Sequence, residues 1–295
     1  MAAAGLAPTD PSRPSGTSAT NGPDRQVEPP VGGSPAGDTA VPALEPCEDS
    51  PVVPQPHGRH SAGGDDESPA DEPGPLLASG NSADVYALDD GHVLRRYRSG
   101  RDAAGEVALM RHVAAHGFPV PEVVSVDGPD VVMERLHGPT LLQALGAEEV
   151  SLHDGAQILA DLHRRLHAVP APAGAAPGEV VVHLDLHPGN VVLSEAHGPA
   201  LVDWANARTG AAGLDTALTA LIVAEVAVDA GGVYSQGARA LLAAFLAVAD
   251  DDPSETLDEG MAVRASDPSL LEGEAELVPQ AAALIRDLLE VARPA

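Results

Sequence analysis

Lysine is absent from this 295-residue chain: all 16 basic residues are arginine, set against 44 acidic residues for a formal net charge of −28. A Walker phosphate loop, which requires lysine, is therefore excluded. Nucleic-acid binding is excluded as well, because phosphate contacts need clustered basic side chains and this chain carries the opposite excess. The acidity is compatible with a cationic small substrate, and it also serves solubility. Cysteine occurs once, at Cys47, so there is no intrachain disulfide and no cysteine-based zinc site. Aromatic residues make up only 2% of the chain, which leaves Leu, Val, Ala and Ile to build the core. Long apolar runs are missing too. Ala217 to Val228 and Ala240 to Ala249 are too short to span a bilayer, and Glu225 interrupts the first. Met1 to Gly5 opens no basic-then-apolar pattern, so no signal peptide is expected and a cytoplasmic protein is the default.

What is present divides in two. Residues 1–74 are rich in Pro, Gly, Ser, Ala and acidic groups with no periodic apolar pattern, which predicts a disordered tail. From Leu76 the texture becomes structured. Asp84 to Tyr97 reads as two strands turning at Asp90-Gly91, and Glu122 to Glu134 as two more turning at Asp127-Gly128. Between them, Asp102 can cap a helix running to about Ala115, with a stripe of Ala103, Val107, Met110 and Ala114. After Gly138 the pattern turns helical. Ser151-x-x-Asp154 resembles a capping box, ahead of an apolar face of Leu152, Leu159, Leu162 and Leu166. A strand is expected at Val180 to Val182 and helices near 214–229, 236–249 and 277–292. Strands first and helices afterwards make an α+β fold.

The chemistry concentrates in His183-Leu-Asp185-Leu-His187-Pro-Gly-Asn190, followed by Val202-Asp203-Trp204. Residues 191–193 and 200–202 read as a hairpin closed by Ser194 to Pro199. If Val192 pairs with Leu201, Asn190 stands opposite Asp203, with Asp185 on the loop just before. Two carboxylates and an amide oxygen suit Mg²⁺, which takes a few protein oxygens and completes its shell with water and substrate phosphates. A carboxylate nearby can also accept a proton from an attacking hydroxyl. His183, Asp185 and His187 could instead ligate a transition metal, as in a metallohydrolase. His163 and His167, four apart on a helix, could also chelate, although a partly buried structural role is the simpler reading.

These residues carry a resemblance. Asp185 and Asn190 have the Asp-x₄-Asn spacing of the kinase catalytic loop. The form His-x-Asp-x-His-Pro-Gly-Asn, followed by Val-Asp-Trp, resembles the aminoglycoside phosphotransferase and choline kinase family, over about Leu76 to Ala249. That resemblance implies a two-lobed protein-kinase-like fold, with an N-lobe at 75–136 and a C-lobe at 137–295 holding the catalytic loop and acceptor site. It implies a small-molecule kinase that moves the γ-phosphoryl group of ATP or GTP to an acceptor hydroxyl. Asp185 would be the catalytic base, and Asn190 and Asp203 would hold Mg²⁺. Glu106 would pair with the phosphate-binding cation, Gly80 and Ser82 would lie in the loop over the phosphates, and Met133 and Glu134 would line the adenine. The chain departs from the family pattern in one respect: Arg95 stands where the family carries lysine, with Arg96 the fallback. The alternative from another class is a non-catalytic nucleotide-binding regulatory module.

Overall fold

A computed structural model describes residues 73–80, 82–229, 232–267, 270 and 273–292. Residues 1–72 of the expected tail, Cys47 among them, and Asn81 lie outside the described residues.

Five antiparallel strands come first: β1 (Leu76–Ser79), β2 (Ala83–Ala87), β3 (His92–Tyr97), β4 (Val123–Asp127) and β5 (Asp130–Glu134), in spatial order β1-β2-β3-β5-β4. The β2–β3 hairpin turns where the Asp89 carboxylate accepts the Gly91 N–H at 2.7 Å, and the β4–β5 hairpin where Gly128 takes φ 53°. Helix α1 (Ala104–Ala115) crosses the sheet, and the Ala104 N–H donates to the Asp102 carboxylate at 2.8 Å. Its buried face is Glu106, Val107, Met110 and Val113. The stripe is thus rotated from the expected one: Val113 replaces Ala114, and a glutamate points inward. A small core of Ala83, Tyr97, Ala103, Val107 and Val131 joins helix to sheet.

The rest is mainly helical: α2 (Leu141–Gly146), α3 (Leu152–His167), α4 (Ala212–Asp229), α5 (Gly232–Val248), α6 (Leu257–Ala265) and α7 (Val278–Ala292). Ser151 caps α3 by accepting from the Asp154 N–H at 3.1 Å. Helix α4 is apolar nearly all round, as befits a helix packed against α5, α6 and α7 in the main core. The acid Glu225 on α4 is buried there and accepts from Arg264 of α6 at 2.9 and 3.1 Å. Helix α6 was not expected from sequence.

Four short strands are set among the helices: β6 (Val180–Val182) pairs with a strand at Arg208–Gly210, and β7 (Val191–Ser194) pairs with β8 (Gly198–Leu201). The strand at Arg208–Gly210 is β9. The β7–β8 register corrects the sequence reading. Val191, not Val192, faces Leu201, and Ser194 faces Gly198, because Gly198 at φ 67° closes a three-residue loop. One residue of slip reassigns every pair.

Gly138 shows why the chain needs glycine between sheet and helices. Its φ is 139°, and a Cβ there would sit 2.1 Å from the Leu193 carbonyl oxygen. Both strain and clash act against any side chain. Gly138→Ala is expected to lower stability by about 2 kcal/mol or more, read as a fall in the thermal midpoint. An unchanged midpoint would mean that the Leu193 backbone yields freely.

Candidate active site

Strand β3 alternates, so Arg95 and Tyr97 face α1 while Arg96 faces away. Arg96 is taken by its cross-strand neighbour Asp130, with bonds of 2.7 and 2.6 Å. Arg95 is buried. It donates to Glu106 at 2.5 Å and also to the Asp203 carboxylate, more than a hundred residues on in the chain. Glu106 accepts further bonds from the Tyr97 hydroxyl and, at 3.1 Å, from Arg101, whose guanidinium also lies over the Tyr97 ring. A buried glutamate with three donors is no surface residue. Burial works against the charge of Arg95, but the Asp203 and Glu106 carboxylates more than offset it and hold the guanidinium protonated.

The loop after β6 carries the second group. Leu184 adopts φ 65° and Asp203 φ 61°, left-handed conformations costly for residues other than glycine. At Leu184 the strain is held by a buried acid: Asp215 on α4 accepts the Leu184 N–H at 2.7 Å and the His183 N–H at 3.0 Å. Asp215 also meets His167 at 3.0 Å. Burial alone would raise the Asp215 carboxyl; the His167 bond, the nearby His163 and the backbone donors instead hold it well below the usual range. His183 packs edge-on against the fully buried Trp204 ring, 5.1 Å between centroids, and Phe118 meets that ring edge-on at 5.9 Å. Trp204 Nε1 donates to the Leu201 carbonyl at 3.0 Å. The sole tryptophan therefore joins the loop to the segment after α1.

Asp185 comes one residue after the strained turn. The Asn190 amide donates to its carboxylate and to its carbonyl, both at 3.0 Å, which leaves the Asn190 amide oxygen for another partner. Asn190 is not opposite Asp203. Its carbonyl accepts the Val202 N–H at 2.9 Å, and the left-handed turn at Asp203 then redirects that carboxylate toward Arg95. Burial, then the Asp203 carboxylate, raise the Asp185 carboxyl to about 7. Burial and the neighbouring His183 lower His187 to about 4.

The five principal side chains thus form two linked groups, Glu106–Arg95–Asp203 and Asp185–Asn190, which meet where two carboxylates repel. Such a donor set fits a hard divalent cation, whose charge would relieve that repulsion. A transition-metal site from His183, Asp185 and His187 is not supported. His183 is turned into the core, and His187 lies 3.8 Å from Asp185 without a third ligand.

The remaining expected residues sit at the margin. The Gly80 N–H donates to Ala83 at 3.0 Å, and the Gly80 carbonyl accepts from Arg98. The Ser82 carbonyl accepts the Arg98 N–H at 3.1 Å. Met133 stands opposite Val93 and Val123, and the Glu134 side chain meets His197 at 2.7 Å. None of these four bonds to the two linked groups among the described residues.

Sequence reasoning missed Tyr97 and Arg101, which hold Glu106, and Arg264 on α6, whose charge opposes the upward shift at Asp185. The first pair had a signal: Tyr97 shares the period-two face of Arg95. Arg264 had none, because α6 was not read. Beside the loop, a cavity of about 240 Å³ is lined by Leu184, Asn206, Arg208, Arg264 and Asp267, among others.

A five-stranded antiparallel sheet with one helix, followed by a mainly helical part, defines a kinase-like phosphotransferase fold. The model of the Phosphotransferase enzyme family (APH) matches residues 74–179 and 175–250, and the chain belongs to that family. Among solved structures, the chain is similar to a thermostable mutant of aminoglycoside phosphotransferase APH(4)-Ia in ternary complex with AMP-PNP and hygromycin B. That match has 14% identity and TM-score 0.46, covering 75% of this chain and 94% of that one. It is also similar to the gentamicin complex of APH(2'')-IIa, with 11% identity, TM-score 0.46 and coverage of 71% and 92%. No curated protein matches.

Proposed function

We propose that the chain is a small-molecule kinase that transfers the γ-phosphoryl group of ATP or GTP to an acceptor hydroxyl. The observation that carries this reading is the pairing of a buried Arg95–Glu106 bridge with Asp203, next to the Asp185–Asn190 bond, in a chain of the phosphotransferase family. Solved structures similar in fold are described in complex with AMP-PNP or ADP, in keeping with a nucleotide site here.

Each residue has a role that follows from its position. Glu106, fixed by Tyr97 and Arg101, aims the Arg95 guanidinium toward Asp203, where nucleotide phosphates would be met by two parallel hydrogen bonds. Asn190 and Asp203 would hold Mg²⁺, which supplies charge neutralisation on the phosphates when bound. Asp185, held by the Asn190 amide, orients the acceptor hydroxyl and accepts its proton. Gly80 and Ser82 would cover the phosphates, and Met133 and Glu134 would border the adenine. The cavity next to Leu184 is the place for the acceptor. Its lining carries both signs, Arg208 and Arg264 against Asp267, so it accommodates a polar hydroxyl compound.

Incubation with γ-phosphate-labelled ATP or GTP and a panel of aminoglycosides, macrolides, amino alcohols and sugars is the direct test. Magnesium-dependent transfer of label to one acceptor class is expected. Tight nucleotide binding with no transfer to any of them would favour the regulatory module instead.

The arginine makes its own prediction. Arg95→Ala should weaken nucleotide binding by about 1.5–3 kcal/mol, the contribution of charge-assisted hydrogen bonds. Arg95→Lys should restore most of it, since a point charge still serves phosphate. Calorimetric titration of both variants checks this; equal affinity in Arg95→Ala and wild type would remove Arg95 from the site.

A further inference from the structure

Against the backbone of His183 and Leu184, three potential metal ligands converge. His163 and His167 lie four apart on α3, and Asp215 faces them from α4; their donor atoms fall within 4.8 Å of one another. The hydrogen bonds around them fix which atom carries which proton. The Thr219 hydroxyl lies 2.6 Å from the Leu186 carbonyl, which can only accept, so the hydroxyl proton is committed there. His163 Nε2, 2.9 Å from the same hydroxyl oxygen, must then be the donor to it. The lone pair of His163 is left on Nδ1. That atom is buried, has no hydrogen-bond partner among the described residues, and lies 3.6 Å from Asp215 Oδ2. Asp215 Oδ2 takes its hydrogen bonds from the His183 N–H and the His167 ring instead, so no proton lies between it and His163 Nδ1.

His167 completes the arrangement. Its Nε2 is 3.0 Å from the same Asp215 Oδ2, and its Nδ1 is 2.8 Å from Asp251 on the loop after α5. Ligand atoms bound tetrahedrally at about 2.0–2.1 Å are separated by about 3.3 Å, and the two observed separations, 3.0 and 3.6 Å, bracket that value. Outer partners are in place as well. Thr219 orients His163, and Asp251 can take the Nδ1–H of His167, the carboxylate–histidine relay that commonly supports a metal ligand; the Nε2 proton that His167 gives to Asp215 without metal would be released on binding.

We propose that His163 Nδ1, His167 Nε2 and Asp215 Oδ2 form a binding site for one divalent transition-metal ion of the zinc class, separate from the magnesium site. Imidazole and carboxylate ligands select that class over Mg²⁺. The Asp251 carboxylate beside the cluster is partly exposed, whereas the His167 ring is nearly buried. Asp215 keeps Oδ1 for the Leu184 N–H, so the ion would sit one side chain from the catalytic loop.

The test uses the full chain without nucleotide, stripped with chelator, dialysed and titrated with Co²⁺. One equivalent should give the visible absorption of low-coordinate Co²⁺, zinc should displace it, and bound metal should raise the unfolding temperature by mass action. His163→Leu and the milder His163→Gln should each weaken binding about a hundredfold or more. Asp203→Asn and His112→Ala should leave it intact, which separates this site from the magnesium site and from the exposed His112–His116 pair. Far-ultraviolet circular dichroism establishes that each variant is folded. If both His163 variants unfold, the stoichiometry and spectrum of wild type decide alone. Folded wild type that takes up no stoichiometric Co²⁺, or a folded His163 variant that binds it as tightly as wild type, overturns the proposal.

Discussion

Asp185→Asn is expected to fold, to bind Mg-nucleotide, and to turn over about 10²- to 10⁴-fold more slowly than wild type, the usual loss on removing a positioned base. The substitution preserves shape. It removes one of the two carboxylates whose mutual repulsion, added to burial, lifts the Asp185 carboxyl to about 7. The folded state therefore loses a penalty rather than a contact, and the thermal midpoint should hold or rise. That combination separates a catalytic role from a structural one, because a residue kept for stability would show the opposite pair of effects. Initial rates with the acceptor found in the labelling screen, together with a melting curve, make the measurement. Full turnover in Asp185→Asn would remove it from the chemistry.

Asp215→Ala carries the largest expected effect on stability, a loss of about 3–5 kcal/mol, as for breaking a buried charge pair. Three groups lose their acceptor at once: the His183 N–H, the Leu184 N–H and the His167 ring. Leu184 is also held at φ 65° by that carboxylate, and the backbone strain there would no longer be opposed. Against a total stability of about 5–15 kcal/mol this is a large fraction. Asp215→Asn should fall between the two, since it keeps one acceptor oxygen. Urea unfolding of the full chain gives the difference directly. A loss under about 1 kcal/mol would mean that the turn at Leu184 stands without Asp215.

The elements legible in the sequence were those whose signal is local. Both Asp-Gly hairpins and the leucine face of α3 were readable because turn chemistry and periodicity lie within a dozen residues. The motif from His183 to Trp204 was readable as chemistry for the same reason. The β7–β8 register was not, because loop parity depends on Gly198 taking a left-handed conformation, and composition alone does not choose between a three- and a four-residue loop. Helix α6 was hidden because only Leu257 and Gly260 of its nine residues are buried, and its partner Glu225 lies 39 positions earlier. Glu106 read equally well as a solvated surface residue until the structure showed three donors around it. Asp215 offered a usable hint: an acid on a mostly apolar helix must find partners, and here they are the His183 and Leu184 N–H groups and the His167 ring.

Nucleotide titration calorimetry on the full chain, with and without Mg²⁺, in wild type and Asp203→Asn, addresses the central claim most directly. The proposed site predicts that Mg²⁺ tightens ATP or GTP binding to wild type by about tenfold or more, some 1.4 kcal/mol, and that folded Asp203→Asn loses this dependence. Equal affinity with and without Mg²⁺ in wild type would contradict a divalent-cation site built from Asn190 and Asp203.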